Sequence, residues 1–183
     1  MKKNLLYLFA VLTIVASLTG CSEKQDFDQF DDLDVTPTVE ASIIYIESPE
    51  NLINLAAGVN FFTGDFNFDA FNEDFISDRI LEGLIIYELD NTTSKPIDVD
   101  FQFLDVGGNI LDTESFAIPP APTAVLRREV AYGGASGRSI DILINTSAVR
   151  VSATNQGDSS SVSSLPDPKI ILRSSAQLRI RLK

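Results

Sequence analysis

From Thr38 onward, hydrophobic positions recur mostly at every second residue, in short runs rich in Val, Ile and Phe that turn residues interrupt. That alternation and spacing predict an all-β fold, an antiparallel sandwich or barrel. The runs fall at residues 38–46, 81–90, 97–104, 110–118, 123–132, 148–154 and 169–183. Residues 97–104 alternate cleanly, with Ile97, Val99, Phe101 and Phe103 on one face and Asp98, Asp100 and Gln102 on the other. Residues 81–90 are apolar on both parities, as expected of a central strand covered on both sides. Gly107-Gly108 sit where a hairpin needs positive φ.

Three segments depart from this pattern. Between Asp65 and Arg79, Phe68, Phe71 and Phe75 recur every three or four residues and Asp69 stands ready to cap, which predicts one short helix plugging an end of the sandwich. Residues 140–144 suit either a strand or a short helix. The serine-rich run 156–168 is low in complexity and is expected to form a mobile loop.

The last run has the strongest local signal. In 169–183 every even position is uncharged, from Ile170 to Leu182, whereas Lys169, Arg173, Arg179, Arg181 and Lys183 are all odd. One face must be core and the other a basic stripe. Opposite charges on neighbouring strands attract, so the stripe is expected to share an outer face with Asp98 and Asp100.

The first twenty residues read as an address. Met1-Lys2-Lys3-Asn4 is basic, and Leu5 to Leu18 is nearly continuous apolar sequence, too short for a typical membrane span. The run ends in Leu18-Thr19-Gly20-Cys21, which resembles the lipobox of bacterial lipoproteins. The resemblance implies cleavage before Cys21 and a covalent lipid on its thiol, and no other cofactor is expected. The layout is then a leader at 1–20, a flexible acidic tether at 21–37 and a sandwich domain at 38–183. Ser22, Glu23, Asp26 and Asp28, just after the cysteine, resemble the surface-export signal of Bacteroidota lipoproteins. Acyl chains contribute about 0.8 kcal/mol per buried methylene, enough to hold the chain at a membrane without protein insertion.

Composition narrows the chemistry. The 183 residues hold 26 acidic and 14 basic side chains, one cysteine, no histidine and no tryptophan. Those numbers exclude a disulfide framework, a histidine-ligated metal and a Ser-His-Asp triad, and they disfavour a nucleic-acid partner. Removing Lys2 and Lys3 with the leader lowers the net charge from −12 to −14. Asp65-Phe66-Asn67-Phe68-Asp69 starts like a calcium loop, but Ala70 replaces the required glycine and Ile76 the closing glutamate, so no metal site is expected. Arg127 and Arg128 are adjacent on a strand and so should face opposite sides, which argues against an anion clamp. Glycan platforms favour Trp and Tyr, and only Tyr45, Tyr87 and Tyr132 follow the leader.

Residues 87–105, with Gly107-Gly108-Asn109-Ile110-Leu111, resemble the strand, Asn-Thr turn, strand and Asp-Gly hairpin pattern of Ig-like and late-embryogenesis-abundant type 2-like sandwiches. This resemblance implies an Ig-like antiparallel β-sandwich. Taken whole, the chain resembles a lipoprotein of the Bacteroidota. The sequence thus points to a surface-exposed lipoprotein of the outer membrane, a non-enzymatic binding or structural module with an envelope or surface partner. Two alternatives are a fimbrial-type subunit that donates its long C-terminal strand, and a glycan-binding accessory protein.

Overall fold

The alternating runs fold as eight strands. In this computed structural model, residues 34–56, 58–68, 74–122 and 125–182 are described, together with Lys3. The strands are β1 (Thr38–Pro49), β2 (Asn60–Asn67), β3 (Ile80–Asn91), β4 (Ile97–Leu104), β5 (Ile110–Ile118), β6 (Leu126–Gly133), β7 (Ala148–Asn155) and β8 (Lys169–Ile180). Three single turns of helix join them: α1 (Glu50–Ile53), α2 (Asp74–Ser77) and α3 (Asp141–Ile144). The strands from Thr38 on belong to a compact unit that spans Asp34–Lys183. Cys21, Leu18, Thr19 and Gly20, and the export residues Ser22, Glu23, Asp26 and Asp28, lie outside the described residues.

The strands form two antiparallel four-stranded sheets, β1-β8-β3-β6 and β2-β7-β4-β5. The protein is an all-β sandwich, and its strand order is that of the eight-stranded jelly roll with two Greek keys. An immunoglobulin domain sorts its strands differently, with ABED facing CFG. Here β4 and β5 form the one hairpin within a sheet, and every other connection between consecutive strands crosses to the opposite sheet.

That crossing corrects the expectation for the basic stripe. β8 and β4 lie in opposite sheets, so Asp98 and Asp100 do not face it. The turn after β3 passes over the end of the sandwich instead of folding back beside it. Asn91 is buried there, its side chain donating to the carbonyls of Lys95 (2.8 Å) and Pro119 (3.0 Å). The stripe does find acids, on the strands flanking β8. Lys169 pairs with Glu47 at 2.8 Å, Arg179 with Glu82 at 2.9 Å, and Gln177 donates to Glu40 at 3.1 Å.

The core lies between the sheets. All even residues of β8, from Ile170 to Ile180, are buried, whereas its odd residues are half-buried or exposed. They meet Phe101, Phe103, Val149 and Val151 from the facing sheet in one cluster. Tyr87, Phe101 and Phe116 pack ring against ring at 4.9 to 5.7 Å between centroids. Tilted and edge-on rings at such distances attract beyond their burial alone. In β3, Ile86 is buried on the outer parity beside Ile85 and Tyr87 on either side, matching its central place in the sheet.

The helix expected over 65–79 is present only as α2. Asp65 to Asn67 continue β2, a strand that the phenylalanine spacing had concealed, and Asp69 and Phe71 lie outside the described residues. The end of the sandwich is plugged by α3, the helical alternative for 140–144. Its Leu143 is fully buried against Gly83, where a β-carbon would collide with the Leu143 and Leu178 side chains.

Replacing Leu172 with Ala should lower stability by about 2–5 kcal/mol, the usual cost of a large-to-small change in a closed core. The neighbouring Arg173→Ala, on the outer face, should change it by about 0.5 kcal/mol or less. Urea unfolding followed by fluorescence distinguishes the two, and equal losses would contradict the inward and outward assignment of β8.

Candidate functional site

Polar side chains gather in three places, and their hydrogen bonds separate scaffolding from an available surface. The first lies at the end of the sandwich where the β1–β2, β3–β4 and β7–β8 connections meet. Glu50, 2% exposed, accepts from the Ser94 amide and hydroxyl at 2.6 Å each and from the Ser163 amide at 2.8 Å. Lys95, fully buried, donates to Asp158 at 2.8 Å and to the Ser161 hydroxyl. Asn155, also buried, donates to the Ile53 and Asp158 carbonyls and accepts from the Gly157 amide. The serine-rich run expected to be mobile is therefore tied down. Its serines carry no helical or strand pattern, but their hydroxyls and amides satisfy Glu50, Lys95 and Asp158.

This cluster brings together a serine and a lysine that sequence spacing could not pair. Lys95 donates to both Ser161 and Asp158 and so ties the β3–β4 turn to the serine-rich run. The Asp158 carboxylate compensates the charge from the other side. The Lys95 contact and the Ser160 and Ser161 amides hold the Asp158 carboxyl well below its usual range. Burial pushes the Glu50 carboxyl up, but the bonds from Ser94 and Ser163 outweigh it and leave it below its ordinary value. The arrangement is suited to pinning loops.

The second cluster fastens the sheets together along one side. β5 and β6 are edge strands of opposite sheets. Glu114 of β5 is buried and held by Arg128 at 3.0 Å and by Arg138. Arg138 also reaches Asp112 at 2.5 Å, and the Tyr132 hydroxyl donates to Asp112 at 2.9 Å. Arg128 lies 4.2 Å over the Phe116 ring. As expected, Arg127 points the other way, pairing with Glu129 at 2.7 Å. Nearby, the Tyr87 hydroxyl is buried without a hydrogen-bond partner among the described residues, and burial pushes its phenol well up. Asp112 and Glu114 are both held by arginines here and form a latch between the two sheets.

The third place is the outer face of the β1-β8-β3-β6 sheet. Strand register sets its side chains in rows. One row runs Thr38, Arg179, Glu82, Gly133; the next, Glu40, Gln177, Leu84, Ala131. Ser42, Ser175, Ile86 and Glu129 follow, then Tyr45, Arg173, Glu88 and Arg127. Ala131, Ser42 and Ser175 lower parts of the middle rows, while Arg179 and Glu82 stand at one end and Arg173, Glu88 and Arg127 at the other, so the face is a shallow saddle. Two depressions lie on it, about 350 Å3 beside the Gly133–Gly137 loop and about 270 Å3 over Ser42, Ile86 and Ser175. Gly133 and Gly134 hold positive φ of 77° and 66°, and a β-carbon at Gly133 would strike the Leu81 carbonyl, so glycine lets the loop lie close to β3.

Tyr45 stands at the rim, 57% exposed, with its hydroxyl donating to Glu47 at 2.7 Å. Among the described tyrosines it alone is exposed, since Tyr87 and Tyr132 are core. Arg173 lies 5.9 Å from the Tyr45 ring. The Asp65 carboxylate belongs elsewhere, bonded through both oxygens to Arg150 of β7 at 2.7 and 2.8 Å.

The sequence matches no protein-family model and no curated protein. Among solved structures it is similar to the infectious bursal disease virus VP2 subviral particle, at 8% identity and a TM-score of 0.40. That match covers 80% of this chain and 33% of the other, so the chain spans about a third of the matched chain's length. It is also similar to a protein of Bacillus endospore appendages, described as disulfide-linked pili (11% identity, TM-score 0.37, covering 81% and 92%). A third match is to a bacteriophage CBA120 tailspike (15% identity, TM-score 0.36, covering 80% and 18%).

Glu50→Ala should cost about 1–3 kcal/mol, because the buried Ser94 and Ser163 amides lose their acceptor. Glu50 and Asp158 both have lowered pKa values, so their contribution is complete above the ordinary carboxylate range, about pH 4. It is lost as pH falls below that range. Urea midpoints for wild type and Glu50→Ala should therefore differ at pH 7 and converge towards pH 2. A constant difference would contradict the charge-dependent clamp.

Proposed function

We propose that the protein is a lipid-anchored module of the bacterial envelope that binds its partner through the outer face of the β1-β8-β3-β6 sheet. The single observation carrying the address is Cys21, the chain's only cysteine, placed directly after Leu18-Thr19-Gly20 at the end of the apolar leader. A diacylglyceryl thioether there tethers the chain to the outer membrane. Glu23, Asp26 and Asp28 direct it to the cell surface. The acidic body is repelled by anionic lipid and stands off from the bilayer.

Binding rather than catalysis is supported by the disposition of the polar groups. The buried carboxylates and the buried lysine are occupied in loop clamps and the sheet latch, whereas the saddle on the outer face offers side chains to solvent. The strand-exchange alternative rested on the length of the C-terminal strand. β8 is paired on both sides within its own sheet, so its donation to a neighbour would require withdrawing a central strand. A monomeric binding module fits that pairing better.

Growth of a Bacteroidota host with an alkynyl fatty acid should label the wild-type chain, and Cys21→Ser should abolish the label and release the protein from the membrane fraction. Protease added to intact cells should digest the wild type and spare a Glu23→Ala, Asp26→Ala, Asp28→Ala triple variant. Equal digestion would remove the surface-export assignment and leave the anchor standing. An unlabelled wild type would remove the anchor itself.

A further inference from the structure

The basic stripe of β8 is almost fully compensated inside the chain. Lys169 pairs with Glu47 and Asp167, Arg179 with Glu82, and Arg181 with Asp34 at 3.5 Å. Arg173 is the exception: among the described residues its side chain makes no ion pair or hydrogen bond, only a contact over the Tyr45 ring at 5.9 Å. Its cross-strand neighbours are Tyr45 on one side and Glu88 on the other. Glu88 is approached by Arg127, at 3.6 Å. An exposed guanidinium fork thus stands beside an exposed aromatic ring, at the edge of the depression floored by Ser42, Ser175 and Ile86.

Each part selects a chemical group. A guanidinium matches a carboxylate with two parallel N–H···O bonds. The face of an exposed tyrosine takes a flat, partly apolar ring whose edge is wet. Serine hydroxyls and the Glu40 carboxylate offer donors and acceptors to a hydroxylated ligand. The surrounding charge limits how acidic that ligand can be: Glu40, Glu82, Glu88 and Glu129 share the face, and the precursor as a whole carries −12. A polyanion would be repelled, but a single carboxylate has Arg173. A peptide ending in a carboxylate would need an apolar socket for its last side chain, and the floor here is hydroxylated, with Ile86 only 6% exposed.

Resting on the recognition face assigned above, we infer that this corner binds an oligosaccharide carrying one carboxylated sugar, a uronate or sialate. The carboxylate takes the Arg173 fork, the sugar ring lies on Tyr45, and neighbouring hydroxyls reach Ser42 and Ser175.

The test is an array of oligosaccharides ending in uronate or sialate, each beside its neutral, carboxyl-reduced counterpart, probed with the purified full chain in detergent. The expected result is binding to acidic members only. Arg173→Ala should weaken it by about tenfold or more, the scale of a charge-assisted hydrogen bond. Tyr45→Ala should weaken it comparably and Tyr45→Phe much less. Arg173→Ala is expected to fold normally, so its loss of binding would not be a loss of structure. A blank array, equal signal on neutral counterparts, or binding unchanged in Arg173→Ala overturns the inference. Because the array does not involve the lipid or the cell, such a failure leaves the tests on Cys21 and on protease digestion unaffected and removes only the saccharide.

Discussion

The structure depends on one strand having two unlike faces and two partners. β8 lies between β1 and β3, with Thr38 opposite Arg179 at one end and Pro49 opposite Lys169 at the other. A shift by one residue would bring the arginines into the core and expose Ile170, Leu172 and Leu178. Because β1 and β3 both register against it, that single alternation orients the whole sheet. The same pairing lays out the outer face, since each residue of β8 fixes which side chains of β1 and β3 stand beside it. Arg173 meets Tyr45 and Glu88 for this reason alone.

The two sheets are held together differently at different places. Apolar burial does most of the work between Ile170, Leu172, Phe101 and Val151. At roughly 1.5–3 kcal/mol for each large side chain removed from water, this outweighs any polar contact in the domain. The polar clusters act where the core runs out. Glu114 with Arg128 and Arg138 closes one long side, and Glu50, Lys95 and Asn155 bind three connections at one end. Buried ions stabilise little in net terms, but breaking one partner leaves the other stranded, so such groups specify geometry. That geometry includes the position of β1, whose start and Tyr45 complete the saddle.

The free rim of β1 is also moderated. A bulge between Ser42 and Ile44 interrupts the regular edge, and Glu40 and Glu47 place charge along it. Bulges and charges on an outer strand discourage pairing with another chain. β8 itself is enclosed between β1 and β3 and offers no free edge.

Local alternation was sufficient to show β4, β5, β7 and β8 nearly residue for residue, because a strand with one buried face must repeat every second position. It also placed Arg127 and Arg128 on opposite sides. β2 escaped notice because its last residues, Asp65 to Asn67, open the segment in which Phe68, Phe71 and Phe75 recur at helical spacing. What only the tertiary structure decided is which strands are neighbours. Crossing from β3 to β4 over the end of the sandwich, rather than along its edge, separates β8 from Asp98 and Asp100 and brings Glu82 and Glu88 to it. The same crossings bring Glu50 to Ser163 and Lys95 to Ser161 across more than sixty residues of chain. Periodicity records which way a side chain points relative to its own strand. It carries no record of the partner across the gap, so the clamps, the latch and the unpaired Arg173 become visible only after the chain has closed on itself.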